Sequence, residues 1–304
     1  GLPSIISARS SRPASAQADE QGPPAVNGKP DGRYLIRGGI VMSMDPSVGD
    51  FVQADVLVEG KWIMAIGPNL RSTGDDIDAR GKIVMPGFID THHHQFETVL
   101  RSFLADGVLI NDGSGSVSAS TTYFEYILLK FAPVYRPQDV YINELFGSLS
   151  QLDAGVTTVH DISQIHHSPA HSDAAIHGII DSGRRAALGY FESAGGVILG
   201  TNPGNKYPDD AIRIKKQWFS SSDQLMTMIM GGELYLPAYE KAWKIGRELG
   251  LQVAAHVLSP FGIRPTLDLL AQGKGGDSGT LGLGPDNLFV HMTGMSDLGW
   301  QRVK

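Results

Sequence analysis

Apolar and polar residues alternate in short runs from Tyr34 onward, and glycines punctuate the runs. Tyr34 to Met42 and Ala54 to Gly67 are rich in Ile, Val and Leu and are broken at Gly38-Gly39 and Gly60, which predicts short strands joined by tight turns. These runs point to a small β-sandwich part over residues 33–81. Beyond Gly81 the pattern lengthens. Ile83 to Asp90, Val156 to His160, Arg185 to Phe191, Leu225 to Met230, Leu251 to His256 and Asn287 to His291 read as strands. Arg136 to Leu152, Ser172 to Ser182, Ala211 to Phe219, Pro237 to Leu249 and Arg264 to Ala271 read as helices between them. Strand, loop and helix in repetition is the mark of parallel β/α units.

Six such units occupy residues 82–304, whereas a barrel of this kind closes with eight strands, and only the 13 residues 292–304 follow His291. The expected fold is therefore α/β, a (β/α)8 TIM-type barrel truncated after about six units, with the β-sandwich part in front of it. An open six-stranded sheet would carry an unpaired edge, which favours a fragment over a different fold. Residues 1–32 are rich in Ser, Pro, Gly and Ala and read as a disordered arm, or as the remnant of an export signal cut after Ala16. A signal remnant would place the protein in the periplasm or outside the cell. A plain arm would leave it in the cytoplasm.

Composition narrows the chemistry. With no cysteine in 304 residues, a metal must be held by imidazole and carboxylate. A net charge of -7 argues against a nucleic-acid partner, because phosphate-backbone binders concentrate Lys and Arg. No stretch reaches the roughly 18 apolar residues of a membrane span. A small-molecule substrate remains, and homo-oligomerisation is compatible with all of this.

The first barrel strand runs into His92-His93-His94. Side chains alternate faces along an extended chain, so His92 and His94 share a face and His93 points away. Two imidazoles side by side at a strand end suit two ligands of one divalent ion. The strands Leu251 to His256 and Leu288 to His291 also end in histidine, which puts more imidazoles at the same end of the sheet.

The run Pro86-Gly87-Phe88-Ile89-Asp90-Thr91-His92-His93-His94 resembles the strand-one signature of the amidohydrolase superfamily. Gln95 to Leu104, Gly155 to Asp161 and His171 to Ala175 resemble the branch that contains cytosine deaminases and chlorotriazine hydrolases, and the likeness extends over roughly residues 34–304. The resemblance implies metal ligands His92, His94 and His256, and a catalytic His291 that polarises the substrate or the activated water. It implies one divalent ion, with zinc favoured and iron the alternative. The implied activity is hydrolysis of a non-peptide carbon–nitrogen bond in a cyclic amide, amidine or aminoheterocycle, through a metal-activated water. Hydrolytic dechlorination or deamination of heteroaromatics is the nearest alternative, and a non-catalytic relic of the fold is the distant one.

Several positions depart from the family pattern. The strand-eight Asp that binds metal and acts as base has no counterpart, since Asp297 directly follows the sixth strand and reads as the start of a helix. Ser259 stands where deaminases of this branch carry a proton-shuttling Glu, which argues against simple cytosine or guanine deamination. The strand Leu225 to Met230 ends without the lysine of two-metal members, so a single ion is expected. An isolated chain of these residues is expected to be weakly active or inactive even with metal supplied, and one carrying a natural continuation with the missing Asp to be active. Gln95 and His160 are the expected substrate contacts. His166, His167, His171 and His177 read as surface residues of a loop and the following helix.

Overall fold

A computed structural model describes residues 32–104, 107–110, 122–193, 204–236, 238–258, 267 and 283–304. The arm, Ser259 and most of the candidate helix Arg264 to Ala271 lie outside these residues.

Five strands make the first sheet: β1 (Arg33–Val41), β2 (Phe51–Glu59), β3 (Trp62–Gly67), β4 (Asp75–Asp78) and β5 (Ile83–Val84). The first three pair antiparallel in the order β3-β2-β1, and β4 and β5 add parallel to β1. Alternation along β1 and β2 buries Leu35, Val41, Ala54 and Val56. Gly38, at φ +69, makes the irregularity in β1, and its N–H donates to Asp55 Oδ1 at 2.8 Å.

The candidate strand Ile83 to Asp90 is in fact two strands in two sheets. Ile83–Val84 pairs with β1, and the barrel strand β6 starts only at Phe88 (Phe88–His93). Pro86 has no N–H to give a ladder, and Gly87 lies so close to Thr157 that a Cβ would come within 2.2 Å of its side chain.

The second sheet is wholly parallel and runs in chain order from β6 through β7 (Val156–Ser163), β8 (Arg185–Tyr190), β9 (Met226–Gly231) and β10 (Val253–Val257) to β11 (Asn287–His291). Parallel neighbours need crossovers, and the described α-helices are α1 (Pro137–Asp153), α2 (Pro169–Ser182), α3 (Ala211–Trp218), α4 (Tyr239–Glu248) and α5 (Asp297–Val303). Pro137 opens α1 where its missing N–H costs nothing, and Asp139 accepts from the Arg136 N–H at 2.8 Å. Gly183 closes α2 at φ 72.

Strand alternation divides the core. Val159, Leu188, Met228, Met230 and Val253 face the helices and pack with Ile176, Ile214, Trp218 and Trp243. Ile162, Phe191, Ile229, Ala254 and Val290 face the interior of the curl. The resulting architecture is a (β/α) barrel sheet of six strands with edges at β6 and β11, as the alternation of elements predicts. Among the described residues no helix is long and apolar enough to cross a membrane.

Candidate metal centre

Four histidines from three strands meet at the C-terminal mouth of the sheet. His92 lies on β6, and His94 follows its end; His256 lies on β10 and His291 ends β11. His92 Nε2 is 3.1 Å from His94 Nε2 and 3.3 Å from His256 Nε2. The His291 ring centroid is 4.6 Å from that of His92 and 5.4 Å from that of His256. Ligand nitrogens of His92, His256 and His291 all lie within 4.8 Å of one another. His94 joins them through its approach to His92. His93 faces the other way, with Nδ1 at 3.2 Å from both Asp90 Oδ2 and Gln151 Nε2.

The outer nitrogens decide the chemistry of the inner ones. His94 Nδ1 donates to the Ile162 carbonyl at 3.0 Å and His256 Nδ1 donates to Glu233 Oε1 at 2.5 Å. Both rings then present an unprotonated Nε2 to His92, which can donate to only one of them. A cation would relieve this: ligands about 2.0 to 2.1 Å from a tetrahedral ion stand about 3.3 Å apart, and the His92–His94 and His92–His256 spacings of 3.1 and 3.3 Å are close to that. Burial, and then the neighbouring imidazoles, lower the His92 pKa to about 4 and hold His94 well below the usual range. Neutral imidazoles are what a divalent ion requires. His291 is exposed at a strained strand end, where it (φ 72) and Met292 (φ 54) are both left-handed.

Residues 83–266 match the model of the amidohydrolase family. The chain belongs to that family. Among curated amidohydrolase relatives, the 5-methylthioadenosine/S-adenosylhomocysteine deaminase of Pelotomaculum thermopropionicum is 26% identical over 65% of this chain and 42% of its own length. The 5'-deoxyadenosine deaminase of Methanosarcina acetivorans is 28% identical over 51% of this chain and 32% of its own. The chain thus spans less than half the length of these relatives. Two solved structures share the amidohydrolase fold. A triazine hydrolase of Arthrobacter aurescens has a TM-score of 0.58 at 22% identity, over 75% of this chain and 53% of that one. A zinc-bound adenosine deaminase of Xanthomonas campestris has a TM-score of 0.58 at 18% identity, over 89% and 61%.

Other expected site residues fare differently. Gln95 does not reach the mouth. The turn after His94 sends its fully buried side chain backwards, where Nε2 donates to Glu144 Oε2 and Ser148 Oγ, both at 2.8 Å. Its Oε1 accepts from Arg184 Nη1 at 3.0 Å, so the substrate contact expected of Gln95 is replaced by a structural role. His160 stays beside the cluster, with Nδ1 at 3.3 Å from the Thr91 carbonyl and a buried Nε2 without a hydrogen-bond partner. His166 and His167, expected at the surface, are 1% and 2% exposed and hold the loop after β7.

Asp161 reads from the sequence as a residue at the mouth end of its strand, but the buried carboxylates Glu192 and Glu233 are features that sequence reading passes over. Asp161 Oδ1 accepts from the Gln95 N–H, Glu192 Oε1 from the Glu233 N–H, and Glu233 Oε2 from the His256 N–H, each at 3.0 Å. Glu233 lies two residues past β9, in the Gly231-Gly232-Glu233 step, where the sequence shows a turn rather than a site. A cavity of about 190 Å³ opens beside Glu97, Leu100, Arg101, Leu104, Tyr123 and Ile127. Burial pushes the Glu97 carboxyl there up to about 7, against the hydrogen bond it accepts from Tyr123.

Two outcomes are expected of residues around the centre. A Cβ on Gly231 would fall 2.2 Å from the Phe191 ring, whose centroid is 5.8 Å from that of His256. Gly231→Ala should therefore cost about 1–3 kcal/mol and weaken metal binding by pressing Phe191 toward His256. An unchanged Tm would show that the ring has room to move. His166 supplies a pH test, because burial lowers its pKa from 6.5 to about 3. The unfolded chain takes up that proton first, so the contribution of His166 to stability falls as pH drops from 6.5 toward 3. Relative to His166→Asn, the native protein should lose Tm over that window, and a constant difference would contradict it.

Proposed function

We propose that the chain forms the metal-holding part of a hydrolase that cleaves a carbon–nitrogen bond between an aminoheterocycle and its exocyclic group. The convergence of His92, His94, His256 and His291 carries this reading. The activities of the deaminase relatives agree with it. His92, His94 and His256 are the ligands through Nε2, since the latter two already have Nδ1 anchored. His291, exposed at the rim, is placed to donate to the developing negative charge on the substrate. His160, with its free buried Nε2, lines the same side and is the remaining substrate-contact candidate. One ion is expected because no lysine ends β9, and zinc stands ahead of iron because imidazole suits both while solved neighbours carry zinc. A divalent ion bound there supplies Lewis acidity and a water nucleophile usable near neutral pH.

The test is metal analysis of the purified protein, followed by ammonia release from 5-methylthioadenosine, 5'-deoxyadenosine and aminotriazines. Cytosine and guanine serve as comparisons expected to react slowly, given Ser259. One equivalent of metal is expected in the chain itself, and metal-dependent ammonia release from an aminoheterocycle in a chain that carries the natural continuation. Failure to bind any divalent ion would overturn the proposal.

A further inference from the structure

We propose that Glu233 is the positioning residue of the metal centre, selecting the Nδ1–H form of His256 and aiming its Nε2 at the other histidines. This rests on the metal-centre reading above and goes beyond it by assigning a role to a residue that binds neither metal nor substrate. Both Glu233 oxygens are committed to His256, Oε2 accepting from its backbone N–H at 3.0 Å and Oε1 from its Nδ1–H at 2.5 Å. A carboxylate only accepts, so the ring nitrogen facing it must carry the proton. The other nitrogen, 3.3 Å from His92 Nε2, is then left with its lone pair.

The grip is specific because it fixes two coordinates at once. The backbone bond sets the height of His256 along β10, and the ring bond sets its rotation. Glu233 is fully buried and is itself held, with its N–H bonded to Glu192 Oε1 at 3.0 Å and its Oε1 3.4 Å from Gln164 Nε2. Glu192 follows β8, Glu233 follows β9 and His256 is on β10, so carboxylates tie three successive strand ends in order. Neutral Gln at position 233 would have one oxygen to offer two donors, and its amide would oppose one of them. Outer partners of this kind are typically worth about tenfold to a hundredfold in metal affinity.

The experiment uses the full chain in native form and as Glu233→Gln. Zn2+ affinity is measured by chelator competition, metal stoichiometry by elemental analysis, and the His256 tautomer by 15N NMR of the metal-free imidazoles. Expected are one equivalent of zinc, an Nδ1–H tautomer in the native protein, a mixed tautomer in Glu233→Gln, and an affinity loss of about tenfold to a hundredfold. A native Nε2–H tautomer would overturn the proposal, as would native affinity in the variant. A second equivalent of metal that disappears in Glu233→Gln would also overturn it, making Glu233 a ligand. If the native protein binds no zinc, the metal-centre reading fails by itself, and the tautomer still decides what Glu233 does. If Glu233→Gln does not fold, the native tautomer alone supports or overturns the proposal.

Discussion

His92→Ala is expected to lower metal affinity by more than about a hundredfold, because loss of a direct ligand must exceed the tenfold to hundredfold effect of an outer partner. His92 is the hub of the cluster: its Nε2 lies 3.1 and 3.3 Å from those of His94 and His256, and His291 packs against its ring. Hydrolysis should fall with metal content. His93→Ala, one position along, should leave metal affinity essentially unchanged, since that ring bonds Asp90 and Gln151 on the opposite face. Its cost should be limited to about 1 kcal/mol of stability. Chelator competition and urea unfolding on both variants separate the effects. The reverse order of affinities would refute the strand alternation on which the site rests.

The largest effect on stability is expected at Arg184. The residue is 1% exposed, and its guanidinium donates to Gln95 and lies in the field of Asp90, Asp161 and Glu144. Burial pushes the Asp161 carboxyl up to about 7 and that of Glu144 well above the carboxylate range, and the Arg184 guanidinium opposes both shifts. Arg184→Met keeps much of the volume and removes the charge. Breaking a buried ionic cluster from one side typically costs about 3–5 kcal/mol. Urea unfolding should show it, and adding Glu144→Leu should recover part of the loss, because the two sites share a network. A loss under about 1 kcal/mol would mean that water already compensates the acids.

The candidate metal site is legible in the sequence because it depends on local periodicity. Alternation alone separates His92 and His94 from His93, and His256 and His291 are simply the last residues of apolar runs. What the sequence hides depends on partners far along the chain. Glu233 acquires its meaning from His256, 23 positions later, and Gln95 from Glu144 and Arg184. Gln95 reads as a substrate contact only if the chain stays extended past His94, but a 3-10 turn over Gln95–Leu100 reverses its direction. Strand β4, Asp-Asp-Ile-Asp, has no apolar face to betray it and exists because its backbone pairs with β1. The division of Ile83 to Asp90 between two sheets is foreshadowed only by Pro86-Gly87.

The strand order bears on how the molecule opens. Each strand of the parallel sheet pairs only with its neighbours in the chain, and among the described residues β6 and β11 share no ladder. Yet His92 on β6 meets His256, 164 positions later, on β10. The imidazoles therefore join strands that share no ladder, and an ion that binds only the joined form adds about 4 kcal/mol at a thousand times its Kd. Stripped of metal, the strand ends that carry the histidines should loosen first. Amide exchange should quicken first in β6 and β11 while β8 and β9, paired on both sides, keep their protection, so that loading the centre sets the shape of the sheet as well as its chemistry.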